Sequence, residues 1–195
     1  KASSSDYTLI SREIIDNYPS FERCIKNQII FDIDDAIFIG RPQCHRKTVT
    51  LLNRSPIVFA GNSYLSSWCK QFTENVHEVP TAVDLSKFKE KAKEPKHKFT
   101  VGWQGTSSSF KYLKNIEDEL KEFFLTHSNC ELHVSSDRYP KELTELHEYI
   151  EFKKWNKEDE VSHIQEFDVG IMPIEQDEYS LGKCAYKMLL YLSCG

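Results

Sequence analysis

The chain has 195 residues, a hydrophobic content of 39% and a formal net charge of −5. This length allows one large α/β domain or two smaller ones. The acidic total argues against nucleic-acid binding, which requires a concentrated basic surface. No apolar run is long enough to predict a membrane span, and residues 1–6 lack the apolar core of a signal peptide. The six cysteines have no metal-ligand spacing, so we expect reduced thiols in a cytoplasmic protein.

Short β-rich runs alternate with helical patterns, which predicts an α/β fold with parallel sheets built from βαβ units. The predicted strands are Gln28–Phe31, Ile57–Ala60, Val76–Val79, Phe99–Trp103, Glu131–Ser135, Ile150–Phe152 and Asp168–Met172. The predicted helices lie near Cys44–Asn53, Ser63–Phe72, Phe110–Phe124, Lys141–Tyr149, Lys157–Ile164 and Lys183–Ser193.

A charged segment interrupts this alternation between Asp84 and Lys98. Its alternating Lys and Glu favour a solvated linker over a basic contact surface. Residues 99–105 then predict the first strand and glycine turn of a new domain. We therefore predict two Rossmann-like lobes, residues 1–86 and 99–195, joined by a linker at 87–98. Both lobes are expected to be incomplete, because an apolar helix that normally leads to another strand ends the chain.

Three carboxylates, Asp32, Asp34 and Asp35, follow an apolar strand. Like charges this close are unfavourable unless a cation, a hydrogen-bond donor or a metal compensates them. The motif fits a haloacid-dehalogenase phosphatase with Asp32 as nucleophile, a metal-binding Asp-x-Asp clamp, or an acceptor-side acidic loop of a two-lobed transferase. Against the phosphatase, Ala36 replaces the expected Thr or Val, and Asp168 lacks an acidic neighbour. Capping of the next helix by Asp34 or Asp35 explains these residues equally well.

A glycine turn follows the first predicted strand of the second lobe. Gly105 and Thr106 begin a run of hydroxyl residues that extends to Ser109. At a strand-to-helix turn, exposed backbone N–H groups and the positive end of the helix favour an anion. Serine-rich turns also serve as plain helix caps, so this motif alone is a weak indication.

Two lysines, Lys183 and Lys187, are predicted to lie one turn apart on an apolar helix that begins after Gly182. A cation near a helix N-terminus opposes the macrodipole at a cost of about 0.3–1 kcal/mol when exposed. An anionic ligand, naturally a diphosphate, would reverse that cost. The alternative is that both side chains extend to solvent without any ligand.

In this order, the motifs resemble the large retaining glycosyltransferase family four, which has the GT-B fold of two Rossmann-like lobes. The resemblance extends along the chain from about residue 28, and the order and spacing of its parts make it specific. It rests on the segments 31–36, 58–65, 79–84, 101–105, 167–173, 182–187 and 193–195.

The resemblance implies a nucleoside-diphosphate sugar donor, a glycan or lipid-linked surface-glycan acceptor, and retention of anomeric configuration. It further implies cytoplasmic chemistry with possible peripheral membrane contact. The base would lie near residues 152–156, and the sugar would lie near residues 175–182. The implied donor-binding residues are Gly105, Thr106, Trp155, Glu175, Lys183 and Lys187.

The two lysines would stabilise the leaving diphosphate, so we expect neither a metal nor another cofactor. Asp34 and Asp35 would face the acceptor hydroxyl, orienting it or taking its proton.

Two features depart from the family pattern. Many members carry two glutamates eight positions apart, where this chain has Gly182 and Leu190, and Gln104 replaces a frequent arginine. Two alternatives therefore stay open beside the transferase. They are a magnesium-dependent phosphatase that uses Asp32, and a non-catalytic sugar-nucleotide-binding or scaffold protein.

Overall fold

The structure is a computed structural model that describes residues 6–12, 24–40, 42–92 and 98–195. The chain divides into two compact units. The first comprises residues 1–81 and 176–184, and the second comprises residues 82–175 and 185–195. The segment 176–184 therefore packs with the first unit, although the boundaries drawn from the sequence would assign it to the second lobe.

Strands and helices alternate through most of the described residues. In chain order they are β1 (Tyr7–Ser11), β2 (Gln28–Ile33), α1 (Pro42–Arg54), β3 (Ile57–Ala60), α2 (Ser63–Cys69), β4 (Val76–Glu78), β5 (Phe99–Gln104), α3 (Phe110–Lys114), α4 (Glu117–Thr126), β6 (Cys130–Ser136), β7 (Ile150–Lys154), α5 (Glu160–Ile164), β8 (Val169–Gly170), α6 (Glu178–Leu181) and α7 (Tyr186–Cys194). Within these ranges, no helix combines the length and apolar character needed to cross a membrane.

The sheet of the first unit has four parallel strands in the order β1-β2-β3-β4. Its core forms because alternate residues of the central strands turn inward, and Phe31, Ile33 and Val58 are completely buried. Leu51 of α1 and Leu65 of α2 cover the sheet. The carboxyl ends of the four strands consequently lie along one edge.

The sheet of the second unit is also parallel, but its strands follow the order β7-β6-β5-β8. The chain builds outward from β5 through β6 to β7 and then returns to the other side of β5. Such a reversal creates a crevice at the carboxyl ends of the two strands beside it. Here those strands are β5 and β8, so the fold itself marks the place where a ligand is expected.

The predicted fold class, α/β with parallel sheets in two units, is confirmed. Each predicted strand overlaps an observed one, but β1 was missed. It is an edge strand whose Tyr7 and Leu9 are exposed by 52% and 61%, so its pattern carries little sign of burial.

The helix predicted at Lys141–Tyr149 was wrong. This stretch forms consecutive turns in which the N–H groups of Leu143, Leu146 and Tyr149 each donate to the carbonyl three residues earlier. Leu143 and Leu146 are both fully buried. A strict three-residue spacing suits 3₁₀-type turns, in which residues i and i+3 share a face.

Two other helix predictions had the wrong extent. The helix predicted over residues 110–124 is divided into α3 and α4 by a break at Asn115 and Ile116. The last helix begins at Tyr186 and not at Lys183, because Ala185 has left-handed backbone geometry with φ at 52°. Lys183 therefore precedes α7, and the two lysines do not share one helix.

Gly102 allows the close packing of β5 against Phe167. A Cβ at this position would fall among the ring atoms of Phe167, which is only 5% exposed. We expect Gly102→Ala to lower the free energy of unfolding by about 1–3 kcal/mol through overpacking. Urea denaturation measures this, and the same change in a Phe167→Leu background should cost clearly less. Equal costs in both backgrounds would contradict this packing.

Candidate functional site

The β5–β8 switch of the second unit contains a lysine at a glycine turn. Lys187, in the first turn of α7, has its Nζ 4.9 Å from the ring centroid of Trp103, which is 2% exposed. A Cβ at Gly105 would collide with this ammonium and lie 2.8 Å from the Trp103 ring. Glycine is therefore needed at position 105 because a cation and an indole share the space that a side chain would occupy.

Gln104, the last residue of β5, is buried with 6% exposure and forms hydrogen bonds with Tyr191 and Glu160. Its backbone N–H donates to the Tyr191 hydroxyl at 2.9 Å, and its side-chain Nε2 donates to Glu160 Oε1 at 3.0 Å. Burial raises the pKa of Tyr191 to about 12, although the Gln104 backbone opposes this shift. The remaining polar atom, Gln104 Oε1, is buried and has no hydrogen-bond partner among the described residues.

Such an unpaired acceptor is costly, since leaving a buried polar atom unsatisfied typically costs about 1–3 kcal/mol. The Nε2–Glu160 bond fixes the orientation of the amide, because only the nitrogen can donate to the carboxylate. Oε1 is thus a fixed acceptor that a ligand donor would satisfy.

Several hydrogen-bond donors of the turn after Gly105 are already bonded to other groups of the protein. The Gly105 N–H donates to the Ser135 carbonyl at 3.0 Å. The Ser107 backbone N–H and hydroxyl both donate to the Asp137 carboxylate, at 2.6 and 2.8 Å, and these bonds lower the pKa of Asp137. The Thr106 hydroxyl bonds to that of Ser108 at 2.8 Å. The turn therefore binds an anion, but this anion is the carboxylate of Asp137.

Trp155 and Glu175 lie just beyond the carboxyl ends of their strands. Trp155 follows β7, is 42% exposed, and its Nε1 donates to Glu160 Oε1 at 3.4 Å. Glu175 follows β8 and pairs with Lys111 at 3.3 Å, while Asn115 donates to its other oxygen at 3.5 Å. Its bond to Glu175 is the main reason why the pKa of Lys111 is raised.

The acidic loop of the first unit is compensated by cations. Arg12 pairs with Asp35 at 2.7 Å and with Asp34 at 3.5 Å. Burial nevertheless raises the pKa of Asp35; Asp34 adds to this effect, and Arg12 and Lys183 oppose it. Arg12 holds a φ of 62°, a conformation that costs of order 1–3 kcal/mol for a non-glycine residue. Strain of this kind is often retained where function requires the side chain.

Lys183 reaches this acidic loop because the segment before α7 is anchored to α2. Asn62 caps α2 by accepting from the Leu65 N–H at 2.9 Å, and its Nδ2 donates to the carbonyls of Leu181 and Lys183 at 3.2 and 3.3 Å. The Cys184 thiol donates to the Asp34 carbonyl at 3.0 Å. The Lys183 ammonium also lies 4.8 Å from the Tyr179 ring centroid.

The eight predicted site residues thus fall into two groups. Asp34, Asp35 and Lys183 belong to the first unit, and Gly105, Thr106, Trp155, Glu175 and Lys187 belong to the second. Their roles stay predictions. In the part of the chain that the structure describes, no three His, Cys, Asp or Glu residues are grouped so that they could hold a metal ion.

Sequence reasoning missed Arg12, Tyr191 and Asp137, and it treated Gln104 only as a departure from the family. Arg12 follows β1, whose sequence pattern is too weak to have marked a strand there. Nothing in the sequence indicates that Asp137 binds Ser107 thirty residues away, since only the β5–β6 pairing brings them together.

No protein-family model matches the chain, and no curated protein matches it at the sequence level. Solved structures do. TarM superposes with a TM-score of 0.58 at 12% identity, covering 75% of this chain and 32% of TarM. S. aureus MnaA with UDP gives 0.53 at 12%, covering 86% and 53%. The Streptococcus agalactiae Glycosylation Associate Protein complex, Gap123, gives 0.50 at 13%, covering 97% and 41%.

These likenesses establish the fold, which is part of a GT-B fold with two parallel-sheet α/β units. The chain spans about a third to a half of the length of these three proteins. At 11–13% identity among the structural neighbours, they say nothing further about chemistry, which has to be argued from the residues.

The raised pKa of Asp35 makes a pH-dependent prediction. The folded protein binds this proton more tightly than the unfolded chain, so the Asp35 contribution to stability is greatest below the ordinary aspartate pKa. It is lost as pH rises through the folded-state value. The stability of Asp35→Asn relative to the parent should therefore increase as pH rises from about 3 to 7. Urea unfolding at several pH values measures this, and a constant or shrinking difference would contradict it.

Proposed function

We propose that the chain is part of a glycosyltransferase that takes sugar from a nucleoside-diphosphate sugar, with the donor diphosphate bound at the carboxyl edge of the second unit. The observation that carries the proposal is the Lys187 ammonium over Trp103 at the Gly105 turn, at the strand-order reversal where ligands bind in such sheets.

The electrostatics of α7 favour an anion at this place. Lys187 lies in the first turn of the helix, where its charge and the positive end of the macrodipole repel each other. A diphosphate would be attracted by both, and the charge that develops on it as the sugar leaves would be stabilised by groups already in position. Lys187 would therefore contribute most when the donor bond breaks.

Two further residues suit the nucleoside end of the donor. The exposed part of Trp155 offers an aromatic face for a base, and the buried Gln104 Oε1 offers an acceptor for a ligand N–H or O–H. Structures of the same fold support a nucleotide donor, since MnaA was solved with UDP. A mutant of S. aureus TarM was solved with fondaparinux, α-GlcNAc-glycerol and UDP, at a TM-score of 0.54, 13% identity and 75% and 32% coverage.

On the first unit, we assign the acceptor side to Asp34 and Asp35. The raised pKa of Asp35 brings its carboxyl nearer to the range in which it can exchange a proton with an acceptor hydroxyl. Arg12 holds both carboxylates, and Lys183 adds positive charge beside Asp35. The finer expectations of retention, independence of divalent metal, surface-glycan acceptors and peripheral membrane contact belong to this proposal.

Substitution of Lys187 tests the donor site in the full-length protein. Lys187→Ala should lower the turnover of a UDP-sugar by roughly 10²–10³-fold, as for the loss of one charge-stabilising contact. Lys187→Arg should retain part of the activity. Lys98→Ala is the matched control, because Lys98 pairs with Glu131 at 3.1 Å immediately before β5, at the opposite end of that strand. Equal turnover in Lys187→Ala and Lys98→Ala would refute the proposed role of Lys187 in stabilising the donor diphosphate.

Lys183→Ala tests whether Lys183 acts at the same site as Lys187, as the sequence analysis predicted. If Lys183 acts on the donor, its loss should weaken UDP binding as the loss of Lys187 does. If it acts through Asp35, UDP affinity should persist and the pH profile of turnover should move. Titration of each variant with UDP, followed by pH-dependent kinetics, distinguishes these roles.

Chelation separates the transferase from the phosphatase alternative. We expect sugar transfer to survive EDTA. We also expect the parent protein to hydrolyse no phosphate ester, so that Asp32→Asn has no such activity to remove. Hydrolysis of a phosphate ester that stops with EDTA and with Asp32→Asn would favour the phosphatase instead. The GT-B neighbours do not favour that alternative.

A second candidate is an accessory glycosylation protein without catalysis. It is favoured by the likeness to Gap123, which covers 97% of this chain, and by Gly182 and Leu190 at the positions of the family's glutamate pair. A thermal-shift panel of UDP-, GDP- and ADP-sugars against the full-length protein, followed by donor hydrolysis, decides between them. Donor binding without any turnover, unaltered by Lys187→Ala, would support the accessory protein.

A further inference from the structure

A separate concave surface lies on the first unit, and its lining includes Phe38 and Ile39, which follow the acidic loop in the chain. Its cavity volume is about 480 Å³, within the range of about 300–1,000 Å³ that is typical of small-molecule sites. Four of its residues have the spacing i, i+3, i+4 and i+7, which places them on one helical face of α2 and the turn after it. They are Tyr64, Ser67, Trp68 and Gln71.

The apolar wall of this cavity is a fixed aromatic assembly. Phe38, which is 6% exposed, stacks on Trp68 with ring centroids 3.6 Å apart and planes within 2°. Phe72 packs against Trp68 at 4.9 Å, and His45 approaches its edge at 5.6 Å. Because each ring is held by another, a ligand would meet a surface that needs no rearrangement to bind.

The rim of the cavity is polar. His45, Ser67 and Gln71 are exposed, and Glu178 adds a carboxylate. The charge of Glu178 adds to the effect of burial in raising the pKa of Tyr64, so the carboxylate lies near that hydroxyl. Asn62 holds the Glu178 segment against α2 through the carbonyls of Leu181 and Lys183. The segment that carries Glu178 is therefore tied to the start of α2.

These features select one class of ligand. A pyranose ring carries C–H bonds on its faces and hydroxyl groups around its edge, which matches an aromatic wall beneath hydrogen-bonding groups. A phosphate would meet the negative charge of Glu178, and an alkyl chain would leave the polar rim unused. We infer that this cavity binds a pyranose ring of the acceptor glycan; this inference rests on the proposed function.

Direct binding tests this without any need for turnover. The full-length protein is titrated with methyl α-D-glucopyranoside, methyl N-acetyl-α-D-glucosaminide and N,N′-diacetylchitobiose at millimolar concentrations, with glycerol as the probe that lacks a ring. Saturation-transfer NMR and tryptophan fluorescence report binding, and UDP affinity is measured in parallel. We expect saturable binding of at least one glycoside and none of glycerol.

Conservative variants then locate the site. Glu178→Gln should weaken glycoside binding roughly tenfold, as expected for a lost hydrogen bond to a charged group, and Tyr64→Phe should weaken it less. Glu74→Gln, which removes an exposed carboxylate that does not line the cavity, is the matched control and should change nothing. UDP affinity should be the same in all of them.

Each result has a distinct meaning. Normal UDP binding with no saturable glycoside binding would overturn the cavity inference and leave the proposed function standing. Glycoside binding that is unchanged in both Glu178→Gln and Tyr64→Phe would also overturn it, because the sugar would bind elsewhere. Glycoside binding that Glu178→Gln weakens, in a protein that binds no nucleotide, would support the cavity and contradict the proposed donor site.

Discussion

The second unit depends on the stacking of a cation over a buried indole at the end of its first strand. Trp103 is almost completely buried, whereas Lys187 is partly exposed, and cation–π contacts contribute about 0.5–1 kcal/mol at exposed sites and about 2 kcal/mol when desolvated. The absence of a side chain at Gly105 makes the approach possible. The contact also holds the ammonium at the positive end of α7, and a bound anion would remove that repulsion.

The position of Lys187 bears on one departure from the family pattern, the glutamine in place of arginine at position 104. With glutamine at position 104, Glu160 accepts from a neutral amide and from the Trp155 indole. An arginine there would instead form an ion pair with Glu160 and add positive charge at the diphosphate edge. Because Gln104 supplies no charge, more of the compensation for the proposed diphosphate would fall on Lys187. The turn at Ser107 cannot substitute, since Asp137 already occupies its donors.

The fold could be predicted largely from the sequence because buried parallel strands leave continuous apolar runs, as in Ile29–Phe31 and Val58–Ala60. Its errors have local causes that only packing reveals. Leu143 and Leu146 satisfy a helical and a 3₁₀ pattern equally well, and the core selects the turns. The site was harder to predict, because the left-handed backbone at Ala185 assigns Lys183 and Lys187 to different units. The nearest glycine, Gly182, lies three residues earlier with an ordinary right-handed φ of −78°, so it does not signal this break.

The separation at Ala185 has a chemical consequence. If both lysines were on one helix, both charges could face the donor. Here, burial raises the pKa of Asp35, and the charge of Lys183 opposes that rise. Burial and the Lys183 charge thus act on the Asp35 pKa in opposite directions, and burial is the larger effect. Arg12 also opposes burial, but it is shared with Asp34 and held in a strained conformation. We therefore propose that Lys183 acts on the acidic loop of the first unit and not on the donor, and that only Lys187 of this pair carries the charge at Gly105.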